Sequence, residues 1–273
     1  MAGPSSAVPG GLLPADLLAA AVARVGAAPL LTSYDDATGD RVELSAVTVA
    51  NWVAKTANLL QEEFDVGRGS TVAVALPVHW QTAAVLLAVW SCGGAVLDTA
   101  SEDDDRLRAA DVVLAAADRL PALEEQGLDP LLGLSLHPLG LGMAGYAGPA
   151  RDFALEVRAH GDFFAPWEPP DADAVGLVFG GGGELTLGGL VQTASELAGR
   201  LGIAPGDRIL VDEGTAEQAG PVAWLLAPLS MGASLVLCRS AVPDGLHRRA
   251  ESERVTATLG LRLDGIRELG RPS

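Results

Sequence analysis

Apolar residues recur along this chain in two alternating rhythms. After Leu12, and again after Ser45, they return at helical spacing. Leu12–Val25 reads as a first helix, and Val49, Val53, Ala57 and Leu60 fall on one face of a second, capped by Ser45 and reaching to about Phe64. Gly67 and Gly69 end it. The other rhythm is a set of short, continuously apolar runs: Thr71–Leu76, Ala95–Leu97 and Asp111–Ala115. Helices predicted at His79–Cys92 and from the acidic run Glu102–Asp105 separate them. Pro29–Tyr34 and Arg41–Leu44 flank a turn at Asp35–Asp40 and predict a hairpin. Apolar strands interleaved with helices are buried on both faces, which predicts α/β structure with parallel sheet covered by helices.

From Pro121 to Pro170 the rhythm weakens, and long connections are expected around a short strand at Ala154–Val157. Alternation then resumes. Strand Ala174–Phe179, the glycine run Gly180–Gly183, helix Gly188–Leu201 and strand Arg208–Asp212 come first. Helix Ala219–Met231, strand Ser234–Cys238, helix Asp244–Glu253 and strand Val255–Leu259 complete the pattern. The organisation is a disordered start at 1–11 and one unit at 12–273. That unit has two lobes, 28–118 and 172–262, joined by a loop-rich connection at 119–171.

The lobes echo each other. Glu43-Leu44-Ser45, a helix, Val66-Gly67-Arg68-Gly69 and Thr71–Val74 match Glu184-Leu185-Thr186, a helix, Ile203-Ala204-Pro205-Gly206 and Arg208–Val211. Leu60 corresponds to Leu201. Two copies do not make a solenoid, so the echo predicts two sheets built from one α/β unit.

Composition narrows the function. The 273 residues are 49% hydrophobic, enough for a sizeable core, and carry 35 acids against 18 bases for a net charge of −17. Arg248–Arg249 is the densest basic pair, which argues against nucleic acid or an anionic membrane as partner. Mean hydropathy is +0.29. The apolar windows Ala83–Leu97 and Ala223–Cys238 nevertheless contain Gly93, Gly94, Pro228 and Gly232, and read as buried helix followed by buried strand. The start has no charged region of a signal peptide, and Cys92 and Cys238 stand alone. A cytoplasmic protein without disulfides is the expectation.

Three stretches of the first lobe, ELSAVTVANWVAKTANLL, VGRGSTVAVALP and AAVLLAVWSCGGAVL, together with LGIAPGDRILV and WLLAPLSMGASLVL in the second, resemble the opening of adenylate-forming enzymes. This superfamily contains acyl-CoA synthetases, peptide-synthetase adenylation domains and luciferases. The likeness runs over about residues 29–260 and is closest to bacterial proteins related to the N-terminal part of these enzymes. It implies the fold of their N-terminal subdomains without the C-terminal lid domain. The family's aromatic-Gly-x-Thr-Glu motif, its ribose-binding Asp, the following Arg and the lid with its Lys are expected beyond residue 273.

The resemblance also implies a phosphate loop, Thr/Ser-Ser-Gly-Thr-Thr-Gly-x-Pro-Lys-Gly, for ATP with Mg²⁺. Laid on this chain the loop begins at Gly180, with Gly182 at its first glycine and Gly189 at its last. Gly181, Gly183, Glu184, Leu185, Leu187 and Gly188 replace the other family residues, the last of them the Lys. Gly180, Gly181, Gly182, Gly183, Gly188 and Gly189 are therefore the candidate cofactor-binding residues, at a degenerate phosphate-loop position. The same run also reads as a turn between strands, because Gly39-Asp40-Arg41 occupies that place in the first lobe. Where the family has Pro-x-x-His-x-x-Gly, Gly220 keeps the glycine and Glu217 replaces the His.

The remaining candidates have plain structural readings. Glu102–Asp105 has oxygen ligands for a cation but reads as a solvated helix cap beside Arg106 and Arg108. His79, His137, His160 and His247 show no ligand spacing, and His79 reads as structural. Ser91 and Ser230 sit in no nucleophile elbow. Cys92, Cys238 and most of the five tryptophans read as core.

Only one base, Lys55, is a lysine, and it lies in a first-lobe helix rather than a phosphate loop. No catalytic or metal-binding residue is assigned. The expectation is a degenerate, non-adenylating relative that acts by binding a ligand or partner. Two alternatives stand beside it. One is a component of an AMP-forming acid ligase that keeps AMP or acyl-CoA binding and is completed by a second protein. The other is a structural interaction module. The ligands in view are AMP or ATP with Mg²⁺, a small carboxylate or an acyl-CoA, and the macromolecular partners a second protein or another copy of the chain.

Overall fold

The computed structural model describes residues 11–99 and 104–270. The expected disordered start, apart from Gly11, lies outside the described residues, as do Glu102 and Asp103 of the acidic run. The first part of the chain forms α1 (Pro14–Val25), β1 (Pro29–Asp35), β2 (Asp40–Ser45), α2 (Ala46–Phe64), β3 (Thr71–Ala75), α3 (Trp80–Cys92), β4 (Ala95–Asp98) and β5 (Val112–Ala116). The middle adds α4 (Leu120–Glu125), β6 (Leu131–Leu134), β7 (Arg151–Asp152) and α5 (Phe153–Val157). The last part comprises β8 (Val175–Val178), β9 (Glu184–Thr186), α6 (Leu187–Leu201), β10 (Arg208–Asp212), α7 (Glu213–Pro221) and α8 (Ala227–Ser230). It ends with β11 (Ser234–Arg239), α9 (Pro243–Ser252), β12 (Ala257–Thr258) and β13 (Arg267–Glu268).

The echo in the sequence is a structural repeat with shared local chemistry. Ser45 Oγ accepts from the Thr48 N–H at 3.1 Å and Thr186 Oγ1 from the Gly189 N–H at 3.0 Å, so one type of N-cap opens α2 and α6. Gly69 (φ 88°) and Gly206 (φ 77°) make the same left-handed turn into β3 and β10. The following strands keep one register, with Thr71 opposite Ala95 and Arg208 opposite Ser234.

Two sheets result, in the orders β7-β6-β5-β3-β4-β8-β9 and β13-β12-β10-β11-β1-β2. Both are parallel except where the hairpins β8–β9 and β1–β2 form one edge. The two lobes exchange these hairpins. β1 pairs in parallel with β11, and β8 pairs in parallel with β4. Each lobe thus builds the centre of one sheet and lends its hairpin to the other.

The core lies between the sheets around α3, whose residues are buried on every side except at Ser91. A helix apolar all round has to be interior, which accounts for the apolar window at Ala83–Leu97. Trp90 lies within it and donates its indole N–H to the Gly176 carbonyl at 2.7 Å. Among the described residues no helix is long and apolar enough to cross a membrane.

Four expectations change. The strand expected at Ala154–Val157 is helix α5, because Asp152 Oδ1 caps the Ala154 N–H at 3.0 Å and Phe153, Ala154 and Val157 bury one helical face. The connection at 119–171 carries β6 and α4 as well as long loops. The helix expected over Ala219–Met231 is preceded by a helical segment from Glu213, and Gly220 (φ 70°, ψ 169°) separates the two before Pro221. After Pro221 the expected helix runs as a π-helical turn at Val222–Leu226 and then α8. In the acidic run the described part is a single 3₁₀ turn, Asp105–Ala109, capped by Asp104.

Candidate functional site

Open α/β sheets bind ligands beyond the carboxyl ends of their strands. Here the ends of β3 and β4 face α7 across a cleft of about 200 Å³. Leu76, Val78, Thr82, Leu86, Asp98, Thr99 and Arg119 line one side, and Glu213, Ala216, Glu217, Pro221 and Trp224 the other. Apolar side chains share the walls with polar ones, and three of the latter are acids: Asp98, Glu213 and Glu217.

Burial, aided by the charge of Glu217, pushes the Asp98 carboxyl up to about 6. Gly220 sets the geometry on the α7 side. Its positive φ ends the helix, and a Cβ there would lie 3.9 Å from Asp98 Oδ2. Glu213 accepts from the Ser240 N–H at 3.1 Å and lies 4.0 Å from Arg239 Nε, which ties the cleft to the end of β11. The arrangement places a carboxyl raised well above its usual range beside a second acid, in a pocket open to a small molecule. Asp98, Glu213 and Arg119 escaped the sequence reading. The available signal was an acid closing a buried parallel strand, as Asp98 closes β4 and Asp212-Glu213 closes β10.

The glycines proposed for a phosphate loop divide between two places. Gly180–Gly183 form the turn of the β8–β9 hairpin, in which Gly182 N–H donates to the Phe179 carbonyl at 2.9 Å and Phe179 N–H to the Gly183 carbonyl at 2.8 Å. Gly188 and Gly189 lie in the first turn of α6, where their N–H groups donate to Ala172 O at 2.9 Å and to Thr186 Oγ1 at 3.0 Å. The cation beside the turn is Arg106. Its Nε and Nη2 hold Asp104 at 2.9 and 2.6 Å, and its Nη1 donates to Phe179 O at 2.6 Å. Glu184 follows the turn, exposed. ATP with Mg²⁺ needs free backbone donors and positive charge at its phosphates. At Gly182, Gly188 and Gly189 the N–H groups are already engaged, and the Arg106 charge is held by Asp104 and Phe179 O.

The other candidates keep structural places. His79 caps α3, its Nδ1 accepting from the Gln81 N–H at 3.3 Å, and burial together with the charge of Arg239 pushes it down to about 3. It lies beside the cleft between Val78 and Thr82, which do line it. Cys92 and Cys238 are buried, and burial pushes their thiols up to about 12 and about 11. Trp80, Trp90 and Trp224 are buried, whereas Trp167 is exposed. Among the described residues no three His, Cys, Asp or Glu side chains come together to hold a metal ion.

This architecture is the fold of the N-terminal region of adenylate-forming enzymes. It matches the crystal structure of an anthranilate CoA ligase in complex with anthranoyl-AMP, with a TM-score of 0.76 and 16% identity over 94% of this chain and 51% of that one. An acyl-CoA synthetase from Brucella canis matches with a TM-score of 0.75 and 16% identity over 93% of this chain and 49% of its own. The N-terminal domain of FACL13 from Mycobacterium tuberculosis matches with a TM-score of 0.72 and 13% identity over 90% and 62% of the two chains. The chain spans about half the length of the first two of these structures.

No family model matches the chain. A TIGR03089 family protein of Mycobacterium tuberculosis is 41% identical over 240 residues, covering 85% of this chain and 91% of its own length. The chain belongs to the TIGR03089 family.

Proposed function

We propose that this chain is a non-adenylating relative of the adenylate-forming ligases, and that it works by holding a small ligand in the cleft between Asp98 and Glu217. The observation that carries the reading is the Gly180–Gly183 turn. At the place where the family cradles a triphosphate, Gly182 closes a hairpin, Gly188 and Gly189 donate to Ala172 O and the N-cap Thr186, and Arg106 holds Asp104. An anion reaching Gly182, Gly188, Gly189 or Arg106 would have to displace hydrogen bonds the fold already makes. Glu184 would add repulsion.

The cleft itself selects against a free carboxylate, because Asp98, Glu213 and Glu217 outnumber Arg119. A compact ligand with an apolar body and a polar or cationic end suits it better. The apolar end packs on Leu86 and Trp224, and the polar end donates to the acids.

Two measurements on the full chain test the reading. ATP–pyrophosphate exchange over a panel of carboxylic acids is expected to stay at the blank, and exchange clearly above it overturns the non-adenylating part. In thermal-shift titrations with matched pairs such as benzylamine and benzoate, the amine is expected to raise the melting temperature through linkage and the acid is not. The reverse order overturns the assignment of ligand charge.

A further inference from the structure

The connection between α5 and β8 crosses α2 as a strap that α2 itself holds in place. Lys55, Asn58 and Gln61 recur at every third residue and so point from one helical face. Lys55 Nζ donates to the His160 carbonyl at 2.5 Å, and Asn58 Nδ2 donates to the carbonyls of Gly161 and Phe163, both at 2.9 Å. Gln61 donates to Ala165 O at 3.4 Å and accepts from the Trp167 N–H at 2.8 Å. The chain's one lysine is spent here. Backbone fixed in this way would normally carry polar side chains outward, yet Phe163 is 80% exposed and Trp167 64%.

Beside the strap a groove of about 770 Å³ runs between α1 and α2. Its walls are apolar, with Leu13, Leu18 and Val22 from α1, Val53 from α2, and Phe164 and Pro166 from the strap. The two charged side chains lining the groove are Asp16 and Asp162, both acids.

We propose that this groove docks an amphipathic helix of another protein, one that carries Lys or Arg beside its apolar stripe. The walls bury the stripe, as in other helix-in-groove interfaces. Asp16 and Asp162 receive the bases, and the net charge of −17 favours approach of a cationic partner. A second copy of this chain fits poorly, since it would set the same acids and the same net charge against each other. The strap backbone is held by α2, so exposed Phe163, which lines the groove, contributes contact without a large entropic cost.

The test uses the full chain and a fluorescein-labelled Leu/Lys peptide of about 18 residues, long enough to form an amphipathic helix. Anisotropy at physiological salt is expected to show saturable binding. Phe163→Ser and Asp162→Lys, both at exposed positions, are expected to weaken it by about tenfold or more. Glu268→Lys makes the same charge change on a remote strand and is expected to leave it unaltered. Equal binding of a Leu/Glu peptide, or equal losses in all three variants, overturns the proposal. A dimer in light scattering that Phe163→Ser converts to monomer assigns the groove to a second copy. Tenfold tighter binding after deletion of residues 1–10 assigns it to the chain's own N-terminus. Either result also overturns the proposal.

Discussion

Glu217, on α7, faces Asp98 at the end of β4, and its charge adds to burial in pushing the Asp98 carboxyl up to about 6. Two residues far apart in sequence thereby share one electrostatic environment across the cleft. A carboxyl whose folded pKa lies above its unfolded value of 3.8 binds its proton more tightly in the native state. Its contribution to stability is fully present below the unfolded pKa and is lost as pH rises towards 6.

Asp98→Asn removes that dependence. The difference in pKa corresponds to at most about 3 kcal/mol, and solvent entering the cleft lowers the expectation to about 2 kcal/mol. Urea unfolding is expected to show the variant more stable than wild type at pH 8 by about that amount, with the advantage gone at pH 4. A variant less stable at pH 8 would show that the ionised Asp98 is satisfied by a partner and that the cleft is not strained.

Glu253 behaves in the opposite sense. Its side chain is 7% exposed. Its Oε1 accepts from Tyr34 Oη at 2.5 Å and Arg41 Nε at 2.9 Å, while Oε2 accepts from Arg208 Nη2 at 2.6 Å. Burial pulls the carboxyl upward, but the hydrogen bonds from Tyr34, Arg208 and Arg41 together outweigh it and hold the group below its usual range. A depressed pKa stabilises the fold above the unfolded value and loses that contribution as pH falls through the folded one. Glu253→Gln leaves Arg208 without its counter-charge and is expected to cost about 3 kcal/mol at pH 7. The deficit should shrink by pH 3.5 in paired urea titrations. A deficit constant with pH would point to lost shape rather than lost charge.

Local chemistry was legible in the sequence wherever one residue decides it. Ser45 announces α2 because a hydroxyl before an amphipathic run caps it, and Gly69 announces the turn into β3. The short elements of the connection at 119–171 were not legible. β7 and α5 depend on Asp152 capping Ala154 and on where Phe153 can be buried, and a window that short has no period to read. The partition of strands between sheets was also hidden, since the pairing of β1 with β11 joins residues about two hundred positions apart. The cleft shows the same limit. Glu217 stood out only as a substitute for a family His, and Asp98 not at all, because its raised pKa comes from neighbours brought by the fold.

Gly176 marks a close approach of β8 to α6. A Cβ there would lie 2.8 Å from Leu190 Cδ1, 2.9 Å from Leu187 Cδ2 and 3.2 Å from Leu187 Cα. The leucine side chains can turn away, but the helix backbone cannot without moving α6. Gly176→Ala is therefore expected to destabilise by about 2 kcal/mol, as overpacked sites do. The displaced strand should also weaken the bond from Trp90 Nε1 to the Gly176 carbonyl, so near-UV circular dichroism is expected to change with the melting temperature. A silent near-UV spectrum with unchanged stability would mean that the leucines absorb the methyl.

The exchange of hairpins makes the two lobes depend on each other. Cut between residues 170 and 171, the chain yields one fragment whose β1–β2 hairpin has lost β11 and whose β4 has lost β8. The second fragment is left with the reciprocal losses. Each would expose a sheet edge and apolar faces of the shared core, which neither can cover alone. Separately, both fragments are expected to lack a cooperative thermal transition by far-UV circular dichroism. Mixed in equal amounts, they are expected to recover the transition and to elute together, because the strand pairs that cross the cut form without a covalent link. Cooperative melting of residues 1–170 alone would show that the first lobe owns a complete core and that the exchanged hairpins are an addition to it.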